Sequence, residues 1–190
     1  LLTCPLLDKI LIAGLVLPLI PSRTFDLIID RTNWFFGLKA HNLLVVAISY
    51  KDVAIPIYWL DLNRAGSSRA CEMIDALLSA MIRLGKRKIR SVIGDREFIP
   101  ALWLKKLRSL GIDYLIRIKG SFLLRRSQDQ AETNAGSLFA SLKRESRRRI
   151  KAPIYFRDEP HYLAASRSPE GNLLIVASSK NEPRALHLYK

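Results

Sequence analysis

Residues 25–30 read FDLIID, a short apolar run with a carboxylate at its far end and Pro21-Ser22 just before it. A run this brief, carrying β-branched Ile and bounded by turn formers, has the pattern of a buried strand. Two further apolar runs follow, Leu43 to Tyr50 (LLVVAISY) and Val53 to Leu62 (VAIPIYWLDL), separated only by Lys51-Asp52. Strands joined by such short connections form an antiparallel meander. Pro56 has no N–H to give to a neighbouring strand, so the third strand is expected at the sheet edge.

The period then changes from strand to helix. Ser67 and Ser68 are N-cap candidates, and Cys71, Ile74, Leu78 and Met81 fall on one helical face, with Leu77 and Leu84 beside it. Gly85 closes that helix. After the basic residues Lys86, Arg87 and Lys88, a fourth strand runs from Ile89 to Gly94 and ends at Asp95. Pro100 opens a second helix through Leu110, Gly111 stops it, and Asp113 to Ile118 (DYLIRI) is a fifth strand. Right-handed crossovers would lay strands four and five parallel to strand one. The expected fold class is therefore α/β, a mixed five-stranded sheet in the order 3-2-1-4-5. Asp30 at the end of strand one and Asp95 at the end of strand four are then expected to emerge side by side.

Two carboxylates on neighbouring strand ends supply the hard oxygen ligands that Mg²⁺ or Mn²⁺ requires, and leave room for a substrate phosphate. Taken singly, each has a plainer reading: Asp30 as a turn residue and Asp95 as the partner of adjacent Arg96. Trp34 and Trp59 read as core residues first and as base-stacking residues second.

Beyond Gly120 the sequence turns polar. A short helix is expected over Leu138 to Leu142, and strands over Ile154 to Phe156, Tyr162 to Ala165 and Leu173 to Ala177. Residues 121–180 thus read as a β-rich insertion after a core of residues 21–120. The basic run from Lys143 to Lys151 (KRESRRRIK) reads equally as a solvated loop and as a phosphate-neutralising patch. Residues 1–20 read as the tail of a region N-terminal to the core. Their apolar run from Ile10 to Ile20 is too short to span a bilayer, and no membrane association is expected.

Composition narrows the class of partner. The 190 residues are 49% hydrophobic, which excludes a disordered tail, and carry 31 Lys and Arg against 17 Asp and Glu. A formal net charge of +14 points to a polyanion, because basic side chains release counterions from phosphate. The two cysteines, Cys4 and Cys71, have no metal-binding spacing, which fits a reducing compartment without structural zinc.

At three places the residues resemble a known family. Asp30-Arg31-Thr32-Asn33-Trp34 is similar to the first-Asp motif of the insertion-sequence-4 type DDE transposases. Gly94-Asp95-Arg96-Glu97-Phe98 resembles their second-Asp motif, and Tyr114 to Lys119 (YLIRIK) the strand that follows. The resemblance implies a ribonuclease-H-like fold with a β-rich insertion. It also implies cleavage at transposon ends and strand transfer into target DNA, with two Mg²⁺ or Mn²⁺ ions held by Asp30 and Asp95, in the cytoplasm of a bacterium. It implies DNA as the partner, with a homodimer formed on it. The family's third carboxylate is a Glu within a Tyr-Arg-Glu-Lys signature. Tyr189 matches its opening Tyr, so residues 181–190 are expected to begin the last catalytic segment, whose Glu would lie beyond. A catalytically silent DNA-binding remnant is the alternative. Arg96, Arg117, Lys119, Arg147, Arg148, Arg149 and Tyr189 are the candidate DNA contacts.

Overall fold

The computed structural model describes residues 14–15, 17–21, 23–85, 88–156 and 159–189. The reading of residues 1–20 as a tail lies mostly outside these. The chain divides into two compact units, one ending at Ile93 and the other beginning at Gly94.

The first unit holds β1 (Phe25–Phe36), β2 (Lys39–Tyr50), β3 (Val53–Asp61), α1 (Ala70–Leu84) and β4 (Ile89–Gly94). The second holds α2 (Ala101–Ser109), β5 (Asp113–Ile118), β6 (Leu123–Leu124), β7 (Thr133–Asn134), β8 (Arg147–Phe156), β9 (Glu159–Arg167), β10 (Leu173–Ser178) and α3 (Ala185–Leu188). The strand order of the large sheet is β3-β2-β1-β4-β5-β10-β9-β8. The expected 3-2-1-4-5 order is present, but the sheet has eight strands rather than five. The strands read as an insertion continue it: β10 pairs antiparallel with β5, Ile175 facing Ile118, and β9 and β8 follow.

β1 is twice as long as FDLIID suggested. It pairs with β2 without interruption from Asp26–Ser49 to Phe36–Lys39, so Asp30 sits within the strand, opposite Val45, and not at its end. β4 has six residues and β1 twelve, so β4 can flank no more than half of β1. The remainder is a two-stranded arm. Its turn is Gly37-Leu38, and Gly37 has φ +59°, the left-handed value that the first position of a tight hairpin turn demands.

Helix α1 forms as expected, with two differences in detail. Its N-cap is Arg69 rather than Ser67 or Ser68, and the Arg69 N–H donates to Oε2 of Glu72 at 2.6 Å. Its buried stripe is Met73, Ala76, Leu77, Ala80 and Leu84, leaving Cys71 exposed. The two alanines explain the rotation, since small side chains let the helix approach β2 and β3, against which it packs. At its end the Gly85 N–H reaches Met81 O at 2.8 Å.

In the second unit Trp103, Leu104 and Leu107 of α2 are buried, and Phe139, Leu163, Ile175 and Ile118 belong to one apolar cluster. The helix expected over Leu138 to Leu142 is a single 3₁₀ turn, Ser137–Phe139. The basic run is neither loop nor helix from Arg147 onward, but the outermost strand of the sheet. Arginine's long aliphatic stem tolerates an edge strand that has solvent on one side. Farther along β8, Tyr155 exchanges backbone hydrogen bonds with Arg125 at 2.9 and 2.7 Å, which covers that stretch of edge. At the other edge β3 carries Pro56, as expected, beside a register shift opposite Val46 and Ala47.

Candidate metal and DNA site

Along β1, side chains alternate between faces, so Asp26 and Asp30 share one. Asp26 is buried. Arg90 donates to both of its oxygens, to Oδ1 at 2.8 Å, and Ser91 Oγ donates to Oδ1 at 2.6 Å. This constellation, which sequence reasoning missed, fixes β1 against β4. The only available signal was a carboxylate inside an apolar run, with Arg and Ser at the matching place in the fourth strand.

Asp30, four positions on, is exposed, and its Oδ1 accepts the Arg31 N–H at 2.8 Å. Arg31 donates to Asn33 Oδ1 at 3.1 Å and to Asn42 Oδ1 at 3.2 Å. Asn42 is buried and donates to the carbonyls of Arg64 and Gly66 at 2.8 and 2.9 Å, tying the segment after β3 to the arm.

In the second unit Asp95 lies just beyond β4 with its side chain 41% exposed. Arg117 Nη1 stands 3.8 Å from Oδ1 and Arg96 Nε 3.9 Å from Oδ2. Tyr189 Oη donates to Oδ1 at 3.4 Å. Four of the residues singled out from the sequence, Asp95, Arg96, Arg117 and Tyr189, therefore gather in one place. The Arg96 contact is long and solvent-exposed, too weak to make charge pairing the reason for Asp95.

The remaining candidate DNA contacts separate. Arg117 and Arg147 line a shared groove of about 440 Å³ with Arg167, Ser146, Ser166 and Asn172. The Arg167 guanidinium is occupied by the carbonyls of Leu142 at 2.9 Å and Gly171 at 3.0 Å, so it holds the groove wall. Lys119 is exposed and lines another groove, beside Phe122 and Phe156. Arg148 is committed inward: it donates to Leu138 O and to Ser141 Oγ at 3.1 Å, and lies over the Phe139 ring. Arg149 is half-buried on β8.

One buried polar cluster stands apart from these. Tyr114 Oη lies 2.8 Å from His161 Nδ1 and accepts from Arg108 Nη2 at 2.8 Å. Burial, with the Arg108 charge adding to it, lowers the His161 pKa to about 4, so the ring is neutral and shares a hydrogen bond with the tyrosine hydroxyl. Burial likewise raises Tyr114 to about 12. Of the two tryptophans first read as core, Trp59 is buried and Trp34 is not.

The family model of the transposase DDE domain matches residues 25–182, and the chain belongs to that family. No curated protein matches it. Among solved structures it is similar to piggyBac transposase in a synaptic complex with hairpin DNA, at 11% identity and TM-score 0.53, over 88% of this chain and 38% of that one. It is also similar to the HTLV-2 integrase catalytic core in complex with magnesium, at 18% identity and TM-score 0.40, over 50% and 60% of the respective chains. The Mos1 transposase catalytic domain with raltegravir and Mn matches at 16% identity and TM-score 0.37, over 56% and 57%. The chain spans less than two thirds of each. The fold is that of the ribonuclease-H-like transposases. Among the described residues, no helix is long and apolar enough to cross a membrane.

Proposed function

We propose that this chain is the catalytic core of an insertion-sequence-4 type transposase, in which Asp30 and Asp95 hold divalent metal and the arginines around Asp95 receive DNA. The observation that carries this is the gathering of Arg96, Arg117 and Tyr189 around Asp95, in a chain whose residues 25–182 match the transposase DDE domain.

The donor set suits Mg²⁺ or Mn²⁺: both groups are carboxylates, each partly open to solvent, and neither is consumed by a close ion pair. When bound, the metal would acidify an attacking water or 3′-hydroxyl and steady the leaving oxygen. The chain's own groups position and neutralise. Arg96 and Arg117 place positive charge beside Asp95, where a phosphate would be drawn in, and Tyr189 Oη orients the Asp95 carboxylate by its hydrogen bond. Among the described residues no three His, Cys, Asp or Glu side chains cluster, so in this reading the third carboxylate is not one of them. Cleavage at transposon ends, strand transfer and pairing of two copies on DNA belong to the same reading.

Manganese binding followed by electron paramagnetic resonance tests it. Asp30→Asn and Asp95→Asn should each reduce binding severalfold, while Glu97→Gln should leave it unchanged. DNA binding should be strongly salt-dependent and nearly blind to sequence. Robust DNA cleavage by these 190 residues alone would show that another carboxylate, with Glu97 first in line, completes the site. Salt-dependent DNA binding without manganese binding would favour the silent remnant.

A further inference from the structure

The chain has three tryptophans, and two are core residues: Trp103 is fully buried and Trp59 is 7% exposed. Trp34 is 52% exposed, and close to it in the arm Phe35 is 77% exposed and Leu38 wholly so. Trp34 and Phe35 face opposite sides of the arm, so its tip presents a large exposed aromatic on each face. The arm beneath them is stiffened. Arg31 bridges Asn33 and Asn42, Asn42 is bound to the segment after β3, and His41 Nδ1 pairs with Asp61 Oδ2 at 2.9 Å.

Two features say what the partner is. Residues 31–42, RTNWFFGLKAHN, contain Arg31 and Lys39 and no Asp or Glu, so the arm suits a polyanion. The apolar surface that a polyanionic nucleic acid offers is the face of a base, and exposed aromatic side chains are what stack on it. Trp34 also lies on the same strand face as Asp30, four residues away, or about 13 Å along β1.

We propose that the β1–β2 arm is a DNA-contacting finger whose Trp34 ring stacks on an unpaired base, about 13 Å along the strand from Asp30. The proposal rests on the reading of Asp30 as a DNA-facing carboxylate, and its test separates the two. Trp34 is the exposed fluorophore. Titration with unlabelled oligothymidylate of about 20 nucleotides, longer than typical single-strand footprints, should quench its emission to saturation. The quenched component should be missing from Trp34→Phe, whose affinity stays near wild type because phenylalanine also stacks. Trp34→Ala should weaken binding at least about fivefold, the low end for loss of one base stack. Its dependence on salt should not change, because stacking releases no counterions, whereas Arg117→Gln should lower the salt slope by about one. Retained circular dichroism and buried-tryptophan emission confirm that each variant is folded.

DNA binding that leaves Trp34 emission and the Trp34→Ala affinity untouched would sink the finger while sparing the metal-site reading. Failure of the wild-type chain to bind DNA at all would overturn both. Concentration-dependent burial of Trp34 without DNA, seen by sedimentation, would assign the tip to a second copy of the chain and overturn the proposal.

Discussion

The two halves of β1 divide the labour of this strand. From Phe25 to Ile29 the side chains are buried or half-buried, and the one carboxylate, Asp26, has both oxygens bonded to Arg90 and a further bond from Ser91. From Asp30 onward the strand opens to solvent, and the carboxylate of Asp30 accepts the N–H of the next residue. The same residue type on the same face is hydrogen-bonded at both oxygens in one place and exposed in the other. The difference lies in the neighbours: saturated hydrogen bonding marks a carboxylate that belongs to the fold, and open lone pairs mark one available to a ligand.

If that division holds, a cavity in the buried half should cost most. Ile29→Ala should lower stability by about 2–5 kcal/mol in urea denaturation; a loss below 1 kcal/mol would mean that the inner half of β1 is not core.

The buried polar cluster in the second unit should come next. Its His161 pKa, about 4, lies below the ordinary 6.5, so between those values the unfolded chain takes up a proton that the folded chain refuses. Stability from keeping this ring neutral is complete above pH 6.5 and is lost as pH falls towards 4, a difference of about 3 kcal/mol. His161→Gln should flatten that part of the pH–stability curve relative to wild type. An unchanged slope would place the titration elsewhere.

Asp26→Ala should cost about 2–3 kcal/mol, below the full value for a broken buried pair because the Arg90 side chain is 49% exposed and can recover water. Asp30→Asn is the control four residues away. Its stability should stay within about 0.5 kcal/mol of wild type, although it lies on the same strand and face. Equal losses at the two positions would erase the contrast.

The order of elements was legible because each signal was local. Gly85 and Gly111 end helices where expected, with φ of +79° and +66°, and the apolar runs of β2, β4 and β5 are strands. The misread segments are those where charge masks extended structure. Arg31 and Asn33 within β1, and Arg147 to Arg149 in β8, look like polar connections because periodicity reports burial, and these stretches bury little. The exposed position of Trp34 was hidden for the same reason: nothing local distinguishes an aromatic on a free-standing arm from one in a core. The Asp95 cluster was legible only as separate residues, since Tyr189 reaches Asp95 across 94 positions.

The outer strands β3 and β8 also carry different protection against growth into aggregates. β3 is guarded by geometry, through Pro56 and the adjacent register shift, and no change of solvent removes that. The Arg147 to Arg149 stretch of β8 is guarded by like charge, which acts over about 10 Å at 0.1 M salt and about 3 Å at 1 M. The guard on this edge is therefore tied to ionic strength, whereas that on β3 is not. Concentrated salt, chosen to strip nucleic acid during purification, also removes the repulsion that keeps β8 from templating another strand.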